Sequence, residues 1–308
     1  RRQILLMSSS SIRVTGAAGF TGRHFISAAK AMGYRCIAMC RHPSESAPDA
    51  DECFHADLLD RRAMSEAVER AQPSMVVHLA AISFVAHDHT EEIYQTNLLG
   101  TLNLLDALSN KAPGVEKILI ASSANIYGNA SALPITENTP PGPLNHYAVS
   151  KYSMELATRL YSGLPIVIAR PFNYTGVGQA KSFLIPKLVD AFRNRQKTIK
   201  LGNTHVARDF SDVRDVVKAY LMLLQRGAAQ STFNVCSGRS TTLTSVMDIL
   251  ADISKHEISI LRDPELVREN EILDLYGSCR LLEQTVGDFR EHQLQDTLAW
   301  MLQDSAPN

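Results

Sequence analysis

Thr15-Gly16-Ala17-Ala18-Gly19-Phe20-Thr21-Gly22 is the stretch on which the fold class turns. A short apolar run, residues 12–15, leads into it, and a helical pattern, residues 22–32, follows. Glycines let the backbone turn tightly and approach a pyrophosphate, whose charge then sits at a helix N-terminus. The spacing is Gly-x-x-Gly-x-x-Gly, and a lone triple-glycine loop is often only a turn. Here the strand before it and the helix after it supply the confirming context. The loop predicts a dinucleotide held by Gly16, Gly19, Phe20, Thr21 and Gly22.

Outward from that loop, apolar runs alternate with helical stretches, the signature of βαβ units on a parallel sheet. Strands are predicted at 12–15, 35–40, 75–79, 117–122 and 165–169, and helices at 22–32, 63–71, 90–109 and 146–161. After Arg170-Pro171 the texture changes to loops rich in Gly, Asn and Pro, with helices at 183–194 and 243–254 and a strand at 232–236. A last helical stretch runs 281–301. The expectation is an α/β chain: a Rossmann-type, doubly wound parallel sheet over residues 1–170, and a smaller C-terminal lobe over 171–308. The strand near 232–236 returns to the sheet, so any single boundary simplifies the path.

Composition narrows the function classes. The chain has 308 residues, 45% apolar and 20% charged, ordinary for a globular protein with a real core. A formal net charge of -1 gives no global pull toward nucleic acid or an anionic membrane. No apolar run reaches membrane-spanning length. Ile4-Leu5-Leu6-Met7 is too short for a signal-peptide core, so residues 1–10 read as a frayed leader or expression remnant. Five cysteines, odd in number and without a Cys-x-x-Cys pair, suggest neither a disulfide framework nor a zinc site and fit a reducing cytoplasm. The ten histidines are scattered, and no metal site is expected.

The end of the second strand tells which dinucleotide to expect. An acid there would hold the ribose 2′-hydroxyl of NAD. The chain instead has Arg41-His42 with no acid expected nearby, and a guanidinium suits a 2′-phosphate, so NADP(H) is favoured over NAD(H). Asp57-Leu58 could meet the adenine edge. Leu79-Ala80-Ala81 closes a β/α unit with small side chains that let a cofactor approach the backbone.

Residues 147–151 read Tyr-Ala-Val-Ser-Lys. A Tyr and a Lys four apart share one helix face. There the ammonium is expected to stabilise the phenolate and bring the phenol's proton within reach of neutral-pH chemistry.

Together, Thr-Gly-x-x-Gly-Phe-x-Gly, His78-Leu79-Ala80-Ala81, Ser122-Ser123, Tyr147-x-x-x-Lys151 and Arg170-Pro171-Phe172-Asn173 occur in the order seen in extended short-chain dehydrogenases/reductases acting on nucleotide sugars. The resemblance covers nearly the whole chain after residue 10. Through the segments 171–179, 202–215 and 234–238 the chain is most similar to the GDP-6-deoxy-4-keto-D-mannose reductases and their relatives, the GDP-mannose 4,6-dehydratases. The resemblance implies a catalytic set of Ser123, Tyr147 and Lys151. Tyr147 would be general acid, Lys151 would lower its pKa and hold the nicotinamide ribose, and Ser123 would bond the reacting sugar oxygen. It implies that Asn173, Lys187 and Arg208 contact the nucleotide diphosphate and that Arg268 and Glu271 hold the nucleotide end. Glu269 stands where the family usually has proline.

The residues after Ser123 separate the family's chemistries. A 4,6-dehydratase needs a carboxylic acid there to abstract the C5 proton and protonate the departing hydroxyl. The chain reads Ser123-Ala124-Asn125, which cannot shuttle a proton. An epimerising synthase would place a cysteine at the position of Asn125. What remains is an NADPH-dependent reductase of the C4 ketone of GDP-4-keto-6-deoxy-D-mannose, giving GDP-D-rhamnose or its C4 epimer. The alternatives are a nucleotide-sugar 4-epimerase with tightly held NAD and, ranked lower for want of that acid, a GDP-mannose 4,6-dehydratase. A non-catalytic NADP-sensing regulator ranks lower, because Ser123, Tyr147 and Lys151 are all present. The resemblance also implies a homodimer through a four-helix bundle of helices 90–109 and 146–161, with Leu98, Leu102 and Leu105 at the interface or in the core. A GDP-sugar is the expected partner, and neither nucleic acid nor membrane is.

Overall fold

The structure is a computed structural model that describes residues 11–45, 47, 49–83, 89–267 and 272–304. Its strands are, in chain order, β1 Ser11–Thr15, β2 Arg35–Cys40, β3 Glu52–His55, β4 Met75–His78, β5 Lys117–Ala121, β6 Ile166–Pro171 and β7 Asn173–Thr175. There follow β8 Thr198–Leu201, β9 Ala207–Arg208, β10 Phe210–Asp212, β11 Ser231–Val235, β12 Thr241–Thr242, β13 Ser259–Arg262 and β14 Asp274–Leu275. The helices are α1 Phe20–Ala31, α2 Arg61–Ala71, α3 Thr90–Tyr94, α4 Gly100–Lys111, α5 His146–Thr158, α6 Leu184–Arg193, α7 Val213–Arg226, α8 Leu243–Ser254, α9 Arg280–Val286 and α10 Leu294–Gln303.

Seven strands form one sheet in the order β11-β6-β5-β4-β1-β2-β3. The pairings of β1 with β2 and β4, of β2 with β3, and of β5 with β4 and β6 are all parallel. This is the doubly wound arrangement predicted from the glycine loop. The strand order reverses at β1, so the crevice beyond the carboxyl ends of β1 and β4 is the place where such sheets bind ligands. β4, β5 and β6 read Met-Val-Val-His, Lys-Ile-Leu-Ile-Ala and Ile-Val-Ile-Ala-Arg-Pro. Such near-continuous apolar runs are what burial on both faces requires. The sequence reading passed over β3 because Glu-Cys-Phe-His is a polar, largely exposed edge strand.

The chain divides into two compact units by its internal contacts. The first comprises residues 1–122, 149–169 and 220–232, and the second 123–148, 170–219 and 233–308. In the first, α2 and α4 bury Met64, Val68, Leu104, Leu105 and Leu108 against Val76, Ile118 and Ile166 of the sheet. Each such side chain contributes roughly 1.5–3 kcal/mol by leaving water. In the second, α6, α8 and α10 pack Leu188, Phe192, Val246, Leu250 and Leu298 around Ile199 and Leu201 of β8.

Two predicted helices are not single. The stretch 90–109 is interrupted by one wide π turn, Gln95–Leu99, between α3 and α4. The extra residue turns Asn97 inward, where it is fully buried. Its side chain accepts from Ile82 N at 2.9 Å and donates to Ile82 O at 3.1 Å and to Ser150 Oγ at 3.0 Å. The stretch 281–301 breaks at Gly287, whose φ of 89° ends α9. Gln293 and Asp296 then cap α10 reciprocally. Leu105 is fully buried in the core, which removes it from the interface residues considered above. No described helix is long and apolar enough to cross a membrane.

Candidate active site

Two glycines of the loop, Gly16 and Gly22, leave no room for a side chain. A Cβ on Gly22 would lie 2.2 Å from Gly16 O, and one on Gly16, at φ 67°, would lie 2.7 Å from Ala80 N. Gly19 caps α1 with no side-chain bond, and the first turn of α1 holds no acid. Its leading amides therefore meet no rival carboxylate in that turn, which fits a dinucleotide pyrophosphate. Arg41 and Asp57 follow β2 and β3 on the same carboxyl edge as Gly16 and Leu79. The expectation of no acid near Arg41 is corrected: Glu45, four residues on, folds back and accepts from Arg41 N at 2.8 Å. Asp57 Oδ1 accepts from Leu59 N at 2.9 Å. Leu58 packs into the core, and its carbonyl accepts from Asn103 at 2.8 Å.

A polar relay that the motif reading left without a role lies behind this edge. His78 is 1% exposed. Its Nδ1 sits 2.7 Å from Thr15 Oγ1 and its Nε2 sits 2.8 Å from Thr101 Oγ1. Thr101 donates its hydroxyl proton to Asn97 O at 2.8 Å, so it accepts from His78 Nε2–H. Nδ1 is then the acceptor and Thr15 the donor, while Thr15 Oγ1 accepts from Leu79 N and Ala80 N at 3.2 and 3.3 Å. Burial, with the Lys151 charge adding to it, pushes His78 down to about 3, so the ring stays neutral. The relay joins the strand that feeds the glycine loop to the π turn. Three elements must fold before it exists, so no local pattern announces it.

On α5, Tyr147 and Lys151 stand one turn apart on the buried stripe. Lys151 is 3% exposed and donates to Ala121 O at 2.8 Å. Burial draws it down to about 8, and Glu155 acts in the opposite direction. Tyr147 is pushed up to about 12 by burial, against a hydrogen bond from Ser123. The expected lowering of the phenol by Lys151 is corrected: burial dominates, and Tyr147 keeps its proton at neutral pH. Ser123 Oγ accepts from Asn125 N and Asn125 Nδ2, both at 3.1 Å. With two donors on its lone pairs, the Ser123 hydroxyl turns its proton to Tyr147.

Among the expected nucleotide contacts, Asn173 is exposed on β7, which pairs in parallel with β10. Arg208 lies on β9, where its Nη1 donates to Ala207 O at 2.8 Å. Lys187 on α6 donates to Lys200 O at 2.9 Å. Arg208 is followed by Asp209, a fully buried carboxylate that accepts from Ser237 N at 2.7 Å and Gly238 N at 2.9 Å. Arg268 and Glu271 lie outside the described residues.

The profile of the NAD dependent epimerase/dehydratase family matches residues 12–236. The GDP-6-deoxy-D-mannose reductase of Pseudomonas aeruginosa is 36% identical over 94% of this chain and 95% of that protein. The GDP-6-deoxy-D-talose 4-dehydrogenase of Aggregatibacter actinomycetemcomitans is 32% identical over 91% of this chain and 92% of its own. Among solved structures, RMD from Pseudomonas aeruginosa, complexed with NADPH, superposes with a TM-score of 0.84 at 33% identity, covering 96% of this chain and 98% of the other. On the glycine loop, the strand order and these matches, the chain belongs to the NAD dependent epimerase/dehydratase family.

Proposed function

We propose that this chain reduces the C4 ketone of GDP-4-keto-6-deoxy-D-mannose with NADPH, giving a GDP-6-deoxyhexose, GDP-D-rhamnose in preference to its C4 epimer. The observation that carries the reading is the pair of bonds from Asn125 to Ser123 Oγ. An amide sits where elimination would need an acid and where an epimerising synthase would need a thiol. The named reductase of Pseudomonas aeruginosa and the NADPH-bound structure support the substrate and the cofactor.

When bound, NADPH supplies the hydride. Gly16, Gly19, Phe20, Thr21 and Gly22 would hold its pyrophosphate, with Leu79, Ala80 and Ala81 close to the loop and Asp57 and Leu58 toward the adenine. Arg41 would bind the 2′-phosphate, with NAD(H) as the weaker cofactor. Tyr147, kept protonated by burial, would give its proton to the C4 oxygen of the sugar. With the sugar in place, Ser123, its lone pairs already taken by Asn125, would turn the proton it gives Tyr147 in this structure to that oxygen. Lys151 would hold the nicotinamide ribose and offset the charge left on the tyrosine oxygen. Asn173, Lys187 and Arg208, with Arg268 and Glu271, would hold the nucleotide diphosphate.

A homodimer is part of this reading. Leu99 is 49% exposed as the last residue of the π turn, Leu156 is exposed on α5, and Leu160 is exposed just beyond it. Light scattering that gives a strict monomer would overturn it.

The deciding experiment adds fresh GDP-4-keto-6-deoxymannose to the chain with NADPH or NADH and identifies the product by NMR. The expected result is one NADPH consumed per 6-deoxyhexose formed, faster than with NADH. Intact NADPH binding without consumption sinks the proposal.

A further inference from the structure

The buried stripe of α5 carries a second ionisable group below the lysine. Tyr147, Ser150, Lys151, Met154, Glu155 and Thr158 are all buried, at helical spacings of three and four. Glu155 is only 4% exposed. Its carbonyl accepts the Thr158 hydroxyl at 2.7 Å, so the helix end is tied down at this turn. Lys151 and Glu155 therefore face the interior on consecutive turns, as residues four apart do.

We infer that Glu155 is a positioning residue that keeps Lys151 in its ammonium form for the reaction, a role that rests on the Tyr147/Lys151 reading given above. Burial works against any charge, and the ammonium loses water on every side. The groups beside it on β4, β5 and α5 are His78, the Ala121 carbonyl, Tyr147 and Glu155. His78 is a neutral ring with both nitrogens engaged, Tyr147 is a neutral phenol, and the carbonyl brings only a dipole. Glu155 alone among these four brings negative charge, and it opposes the downward pull of burial on Lys151.

The ordinary explanation for a Lys and a Glu four apart is a surface pair that steadies the helix. That explanation fits poorly here. The order, lysine first, is the weaker one for such pairs, and both members are buried. Packing alone would be served as well by an apolar side chain of similar volume, because taking a charged group out of water costs free energy. A carboxylate one turn along, unlike methionine, adds negative charge that favours the proton on Lys151.

The test uses the full chain carrying Glu155→Gln or Glu155→Asp. With 15N-lysine labelling, and Lys151→Arg to assign the signal, NMR follows the Lys151 ammonium in the protein without substrate. Glu155→Gln is expected to lower the titration midpoint by about one pH unit, a tenfold change in the protonation equilibrium. Glu155→Asp should return at least half of that shift. The alkaline limb of the kcat/KM profile should move by the same amount, with KM for NADPH little changed. A folded Glu155→Gln protein whose lysine midpoint stays in place overturns the inference. If that variant does not fold, Glu155→Asp decides: a lowered midpoint supports the role and an unmoved one refutes it. A shifted midpoint in a chain whose parent never consumes NADPH would sink the reductase reading and leave the Lys151–Glu155 coupling standing.

Discussion

Asn125 grips Ser123 Oγ from two directions, through its backbone N–H and its side-chain Nδ2, each at 3.1 Å. The serine's acceptor capacity is filled by donors that cannot titrate, so the direction of its proton does not change with pH. Asn125→Ala removes one of the two donors. A net hydrogen bond of this kind contributes about 0.5–1.5 kcal/mol. The expected result is a kcat about three- to tenfold lower with unchanged NADPH affinity, read from steady-state kinetics and a binding titration. Asn125→Asp would take the serine's proton for itself and should cost more; equal activity in both variants would refute this account.

Lys151 makes stability depend on pH in an unusual direction. Its ammonium is drawn from 10.5 to about 8 by burial. Below pH 8 both folded and unfolded chains carry the proton, and the folded state bears the full desolvation cost. Between 8 and 10.5 the unfolded chain binds more proton, so this group adds stability as pH rises. Lys151→Met should therefore be more stable than the parent below pH 8, by up to about 3 kcal/mol. The gap should close by pH 10.5. Urea unfolding of both proteins at pH 7, 9 and 10.5 checks it.

His78 works at the acid end. The unfolded ring takes a proton near pH 6.5 and the folded ring only near 3. The stability held by the neutral ring is complete above 6.5 and is lost as pH falls toward 3, about 5 kcal/mol over the whole window. His78→Gln should be less stable at pH 7 and should lose stability less steeply between pH 6.5 and 4. Parallel slopes for the two proteins would contradict the neutral relay.

Two glycines give a matched contrast. Gly22→Ala drives a methyl to 2.2 Å from Gly16 O and 2.7 Å from Ala17 Cα, and backbone cannot step aside. It should lower stability by about 2–4 kcal/mol and weaken NADPH binding at least tenfold. Gly33→Ala meets nothing within 4 Å, and only its φ of 87° is strained. The expected cost is about 1–2 kcal/mol with NADPH binding intact. Thermal melts and a fluorescence titration separate the two.

The legible parts of this chain were those whose signal is local. β1, β2, β4, β5 and β6 are apolar runs, and the glycine loop advertises itself by position between strand and helix. Ser123, Tyr147 and Lys151 stand in an ordered set of motifs. The illegible parts need the folded context. β3 is an edge strand whose Glu52, Cys53 and His55 face water. The short strands β8 to β10 and β12 to β14 are two to four residues long, too short for an alternation to register. Glu45 reaches Arg41 only because the loop after β2 turns back. The His78 relay depends on Thr15, Thr101 and Asn97 arriving from three separate elements.

The π turn at Gln95–Leu99 has a consequence for how this chain can change over time. It joins two helical frames that differ by one residue, a rotation of about 100°. Deleting any one residue between 95 and 99 would restore an unbroken α-helix and swing Asn97 away from Ile82 and Ser150. Substitutions in the same stretch leave that phase untouched. In this segment the count of residues is under tighter constraint than their kinds, so an alignment gap here would mark a functional break more reliably than any mismatch.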